Sequence, residues 1–141
     1  VVGLIEAEST YAEWTFPAEP DAVRTARHAV RDALGAWLLD HSVRDTAVLL
    51  VSELATNSLQ YTQGPIGVRL AVVPLGPADL TGAALLVEVS DPLPDPPTAR
   101  SAGPDDEGGR GLQLVACSAR RWGTRRGKTG KTVWFELPLP G

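Results

Sequence analysis

The chain has no methionine, one cysteine and two histidines among its 141 residues. The single thiol, Cys117, excludes an internal disulfide and every cysteine-based zinc site. Two histidines, His28 and His41, are too few for a metal cage, and no Ser/His/Asp set stands at a recognisable spacing. Aromatic residues make up only 6% of the chain. Its four tryptophans, Trp14, Trp37, Trp122 and Trp134, are expected to pack rather than to cage a ligand. No apolar run reaches the ~20 residues of a membrane span, so no membrane role is expected. The opening VVGLIEAEST lacks the basic-then-apolar order of a signal peptide. Its missing methionine suggests a trimmed start, and the low cysteine content agrees with a reducing, cytoplasmic setting. The net charge of −4 argues against broad, non-specific nucleic-acid binding.

With 43% apolar residues, the chain has enough to build a core. Its length suits one domain over residues 1–141. YAEWTF, Tyr11 to Phe16, reads as a strand. From Asp21 to Asp40, Val23, Ala26, Val30, Ala33, Leu34, Trp37 and Leu38 recur at helical spacing, with Asp21 as the expected N-cap. His28 falls off that stripe and is expected in solvent. A second helix runs from about Val43 to Thr62. Two strands follow, IGVRLAVV and ALLVEVSD, the latter ending at Asp91. The next twenty residues carry many prolines and glycines and no periodicity, so they read as a long loop. GLQLVACSA resumes a helix, with Leu112, Val115, Ala116 and Ala119 on one side and Cys117 expected to be buried or half-buried. The end reads as a hairpin, with Gly127 to Gly130 in the turn and Val133, Phe135 and Leu137 facing inward. Terminal hairpins forbid an all-parallel sheet. The order therefore predicts an α+β two-layer sandwich: a mostly antiparallel, mixed sheet covered on one face by about three helices.

Three features carry chemistry. The first lies in LVSELATNSLQYT, Leu50 to Thr62. At ~100° per residue, Leu50, Leu54, Ala47, Val51, Ala55, Val48 and Leu59 sweep half the helix, and Glu53 and Asn57 sit side by side at one edge, with Tyr61 continuing their row. An amide oxygen is a good hard ligand for magnesium. A carboxylate one turn earlier can accept the proton of an attacking hydroxyl or polarise a metal-bound water. Such polar pairs are also common on ordinary solvated helix edges. The second feature is Asp91 at the end of an apolar strand, where it can accept from the exocyclic amine of adenine or simply start a turn before Pro92. The third is GGRGLQLV, Gly108 to Val115, in which glycines lead into a helix and leave amides open to an anion such as phosphate.

In this order and on these elements, the three resemble the ATP site of the GHKL superfamily, with its Bergerat-type fold. The match is nearest to the anti-sigma-factor serine kinase branch of histidine kinase-like ATPase domains. ELATNSLQY resembles the E-x-x-x-N box, VEVSD the strand into the adenine-binding aspartate, GRGLQLV the second glycine motif, and GKTVWFEL the closing strand. The likeness spans roughly Trp14 to Leu137. It implies ATP and Mg²⁺ as cofactors. Asn57 would ligate the metal, Glu53 would be the general base and Asp91 would read adenine. Gly109, Arg110, Gly111 and Leu112 would line the phosphates, and a lid would span about residues 94–108. It implies a serine/threonine protein kinase that binds a sigma factor and phosphorylates a STAS-type anti-anti-sigma partner, as a homodimer. The sequence departs from the family's D-x-G-x-G motif, because Leu93 and Asp95 stand where glycines would let backbone approach the nucleotide. That departure favours an alternative, a non-catalytic nucleotide- or protein-binding regulatory module.

Two further signals carry less. GKTGKT is not a P-loop, since neither Arg125 nor Trp122 supplies the required glycine and a strand follows. The basic run Arg120, Arg121, Arg125, Arg126, Lys128 and Lys131 reads as a solvated hairpin, or as a patch for an acidic protein, ahead of a direct nucleic-acid contact.

Overall fold

Alternation of apolar and polar residues builds the sheet. The computed structural model describes residues 10–61, 64–74, 82–92, 107–127 and 130–140, apart from the side chains of residues 61 and 107–111. Its strands are β1 (Tyr11–Phe16), β2 (Ile66–Pro74), β3 (Ala83–Asp91), β4 (Arg121–Arg126) and β5 (Lys131–Pro138), and its helices are α1 (Ala22–Ala36), α2 (His41–Tyr61) and α3 (Glu107–Ser118). The strands lie in the order β1-β2-β3-β5-β4. Every pairing among them is antiparallel, so the sheet is not mixed. The chain reaches each new strand through a hairpin or by passing over one face, and neither route here sets two strands parallel.

One face of the sheet is apolar. Ile66, Val68 and Leu70 of β2, Leu85, Val87 and Val89 of β3, and Val133, Phe135 and Leu137 of β5 are all buried in one core. Against them lie Ala22, Ala26, Val30 and Leu34 of α1, spaced four residues apart, and Val43, Ala47, Leu50, Val51 and Leu54 of α2. Burying a side chain such as the fully enclosed Phe135 stabilises the fold by about 1.5–3 kcal/mol. Val115 of α3 joins the same core. The inward-facing residues of the closing hairpin are those the alternation predicts, and Gly127 N–H donates to Gly130 O at 2.8 Å to close the turn.

Helix ends differ from expectation. Asp21 stands at the N-cap position of α1 but its side chain makes no capping bond. Its backbone, at φ −92° and ψ 7°, is not in the extended region that aims a cap side chain at the first turn, because a turn joins Ala22 N–H to Glu19 O. α1 also stops at Ala36 rather than Asp40. The cap the spacing overlooks is Asp40, whose carboxylate accepts from the backbone N–H and the hydroxyl of Ser42 and starts α2 at His41. Those two donors hold the Asp40 carboxyl below the usual carboxylate range, the hydroxyl contributing most.

The end of α1 is a Schellman turn. Leu39 N–H donates to Leu34 O and Leu38 N–H to Gly35 O. That places Leu38 at φ 61°, where glycine is the usual occupant, with its side chain 88% exposed. Leu38→Gly removes the left-handed strain and forfeits little burial, against some added freedom of the unfolded chain. It is expected to stabilise the fold by about 0.5–1 kcal/mol. Thermal unfolding should show a melting temperature higher by roughly 2–5 °C.

Candidate functional site

α2 sets the first part of the site. Its buried residues Val43, Ala47, Val48, Leu50, Val51, Leu54, Ala55 and Ser58 fall in one arc, and Glu53 and Asn57 lie side by side at the edge of it. Both are half-buried, neither lost in the core nor fully in solvent. Among the described residues, no hydrogen bond or ion pair engages either side chain. The side chain of Tyr61, expected to continue their row, lies outside the described residues.

β3 sets the second part. Asp91 closes the strand with its side chain only 3% exposed. Its Oδ2 accepts from the hydroxyl of Ser58 at 2.8 Å, a buried bond across 33 positions of sequence. Lys131, its register partner on β5, brings Nζ to 4.0 Å from the same oxygen. Two glycines make room for the chain here. A Cβ on Gly130 would stand 2.2 Å from the carbonyl oxygen of Asp91, and one on Gly64 would stand 2.1 Å from Cγ of Pro92. Both positions therefore require the smallest residue for space.

α3 sets the third part and corrects the reading of the glycines. The helix begins at Glu107, so Gly108, Gly109, Arg110 and Gly111 are its first residues rather than a lead-in to it. Glycine is a poor helix former, which is why the sequence pattern delays the start. The glycines therefore stand within the first described turn of α3. Leu112 is half-buried and packs against the core, so its side chain turns toward the apolar interior. The expected lid, residues 94–108, lies outside the described residues except for 107 and 108, as do Leu93 and Asp95 of the altered glycine motif. α3 packs against α2, which brings the glycine-bearing helix alongside the one carrying Glu53 and Asn57. Cys117 is exposed rather than buried, and so is Ala116; among the described side chains of this segment, Val115 and the half-buried Leu112, Leu114 and Ala119 meet the core.

The face of the sheet away from the helices carries the charges. Glu88 is buried between Arg69 and Arg125, each at 2.9 Å, and Glu136 takes Arg120 at 3.1 Å and Arg121 at 4.0 Å. Acidic partners thus offset three of the basic hairpin's arginines. Arg121 also lies over the Trp134 ring, so Trp134 is not a core residue, and Trp122 is 38% exposed. Trp14 and Trp37 pack against the core as expected, and His28 is exposed. A cleft of about 620 Å³ at one end of the sheet, lined by Thr15, Gly67, Ser90, Lys131 and Thr132, borders Asp91 but neither Glu53 nor Asn57.

Two residues of this arrangement escape the sequence reading, Ser58 and Lys131. Ser58 leaves a signal: it is a hydroxyl inside the apolar arc of α2, and a buried hydroxyl requires a partner. Lys131 leaves none, because only the strand register sets it opposite Asp91.

A comparison with curated proteins finds no match. The crystal structure of the RsbU and RsbW domains of Rv1364c from Mycobacterium tuberculosis is similar, with a TM-score of 0.65 at 21% identity over 92% of this chain. The chain spans 32% of that solved chain, and at this identity the likeness concerns the fold. The profile of the histidine kinase-like ATPase domain matches residues 16–137, nearly the whole described structure. With the α+β sandwich and the strand-end aspartate in place, the chain belongs to the histidine kinase-like ATPase domain family.

Proposed function

We propose that the chain is an ATP- and Mg²⁺-dependent regulatory protein kinase of the anti-sigma type. In this reading it holds a sigma factor as a homodimer and phosphorylates a serine on a STAS-type anti-anti-sigma partner. The observation that carries the reading is the bond from Ser58 to Asp91. It ties the helix that carries Glu53 and Asn57 to the buried carboxylate at the strand end. The family match and the RsbW-containing neighbour add support.

The residues fit the groups they would hold. Asp91 is buried and offers only acceptor oxygens, which suits the amine of adenine. Asn57 offers an amide oxygen from a half-buried position that no described neighbour occupies with a hydrogen bond. Among the described residues there is no cluster of three or more metal-binding side chains. Magnesium takes one or two protein oxygens and completes its shell with phosphate and water, so a single amide oxygen can serve it. When bound, the metal neutralises phosphate charge. In the transfer, the serine oxygen forms its bond to the γ-phosphorus as the bond from that phosphorus to the β–γ bridging oxygen breaks. ADP departs, and the serine proton passes to the carboxylate of Glu53. The glycine-bearing start of α3 would supply backbone amides to the developing phosphate charge.

Titration of the protein with ATP, with and without magnesium, tests the reading. Binding is expected to tighten with the metal. Asn57→Ala should erase that gain and weaken Mg·ATP binding about tenfold or more, without lowering the melting temperature. Absence of ATP binding in the unaltered protein would reject the reading.

The seat of Pro92 against Gly64 favours a second reading. A proline fixed there stiffens the chain directly ahead of Leu93 and Asp95, which stand where the resemblance places glycines, as suits a non-catalytic binding module. The module reading predicts partner binding without phosphate transfer.

A further inference from the structure

Ser58 sits on α2 immediately after Asn57 and is 6% exposed. A hydroxyl inside a helix has an easy acceptor in the carbonyl four residues earlier. Thr56 takes that option and donates to Ser52 O at 2.7 Å. Ser58 instead donates to Oδ2 of Asp91 at 2.8 Å, a residue on another layer of the fold. The ammonium of Lys131 approaches the same Oδ2 from the neighbouring strand, at 4.0 Å. A hydroxyl donor on the helix side and an ammonium charge on the strand side thus face one oxygen, and fixing that oxygen fixes the direction of the carboxylate plane. The carbonyl of the same residue is confined by the close approach of Gly130. Backbone and carboxylate of Asp91 are therefore both oriented before any ligand arrives.

Resting on the reading of Asp91 as the base-binding group, we propose that Ser58 is a positioning residue for base selection. Its hydroxyl sets the plane of the Asp91 carboxylate, so that the site distinguishes a purine with a 6-amino group from one without it. Ser58 does not touch the nucleotide itself. Its neighbour Asn57 serves the phosphate end, so two consecutive residues of α2 align the two ends of one ligand. A preoriented acceptor gains discrimination because it need not be ordered at the moment of binding.

The test compares ATP with purine ribonucleoside triphosphate, which lacks the 6-amino group, by measuring both dissociation constants on the same preparation with magnesium. The unaltered protein is expected to favour ATP by about tenfold, the scale of one hydrogen bond to a charged group. Ser58→Ala should bring the ratio to within about threefold, with the loss falling on ATP and the affinity for the deamino nucleotide nearly unchanged. Ser58→Thr, which keeps the hydroxyl, should retain most of the preference. If Ser58→Ala does not fold, Ser58→Cys, a weaker donor, should give an intermediate ratio. A purely structural role would weaken both nucleotides alike, and an unchanged ratio in Ser58→Ala or Ser58→Cys overturns the inference while ATP binding by the parent protein stands. A parent protein that binds neither nucleotide overturns the nucleotide-site reading and this inference together.

Discussion

Glu53→Gln is expected to lower phosphate transfer from ATP to a partner serine by about 100-fold or more, the ordinary contribution of a positioned general base. Binding of Mg·ATP should stay within about threefold of the parent value, because the substitution removes a proton acceptor and leaves the size and polarity of the side chain nearly intact. The site makes this a clean exchange. Glu53 is half-buried at the edge of the apolar arc of α2, and no hydrogen bond or ion pair with a described residue depends on it. An amide can replace it there without leaving a buried partner unsatisfied, so the melting temperature should not change. The measurement is transfer of labelled phosphate under single-turnover conditions, alongside a binding titration. Transfer at the parental rate would remove Glu53 from the chemistry. Loss of binding together with loss of transfer would mean that it holds the nucleotide rather than the proton.

Gly130→Ala should cost more stability than any surface change in the chain. The added Cβ would stand 2.2 Å from the carbonyl oxygen of Asp91 and 3.2 Å from both the carbonyl carbon of Asp91 and Cα of Pro92. All three are backbone atoms, so no side chain can swing aside. The ends of β3 and β5, paired at Asp91 and Lys131, must part instead. Overpacking of this kind costs about 2–4 kcal/mol. The melting temperature should fall by roughly 5–12 °C. Because the clash falls on the residue whose carboxylate Ser58 holds, ATP affinity should fall with it. Gly127→Ala is the control, since its nearest neighbour, Gly130 O, would be 3.8 Å away, an ordinary contact. Equal melting temperatures for the two variants would show that β3 and β5 do not approach as closely as described.

Much of this is legible from local pattern alone. Alternation along Ile66–Pro74, Ala83–Asp91 and Lys131–Pro138 gives each strand and its inward face. The 3.6-residue period of α2 places Glu53 and Asn57 at the margin of the buried arc before any coordinates are known. Misreadings gather where chain direction outweighs composition. The glycines of 108–111 look like loop and are helix. Asp21 looks like a cap and is not, because the turn from Glu19 to Ala22 sets its backbone otherwise. Cys117, one of a run of small and apolar residues, faces solvent because α3 meets the core along a narrow line through Val115.

The sequence by itself determined the order of the elements, the inward faces of β2, β5 and α2, and the spacing of Glu53 and Asn57, because side-chain direction follows from the local period of helix and strand. Only the tertiary structure decided that Asp91 is bound by Ser58, that Lys131 stands opposite it, and that Gly64 and Gly130 leave space for the chain between them. Those contacts join residues far apart along the chain, and no local period encodes them. They follow from the register of β3 with β5 and from the way α2 crosses the sheet, which the packing of the whole core settles at once.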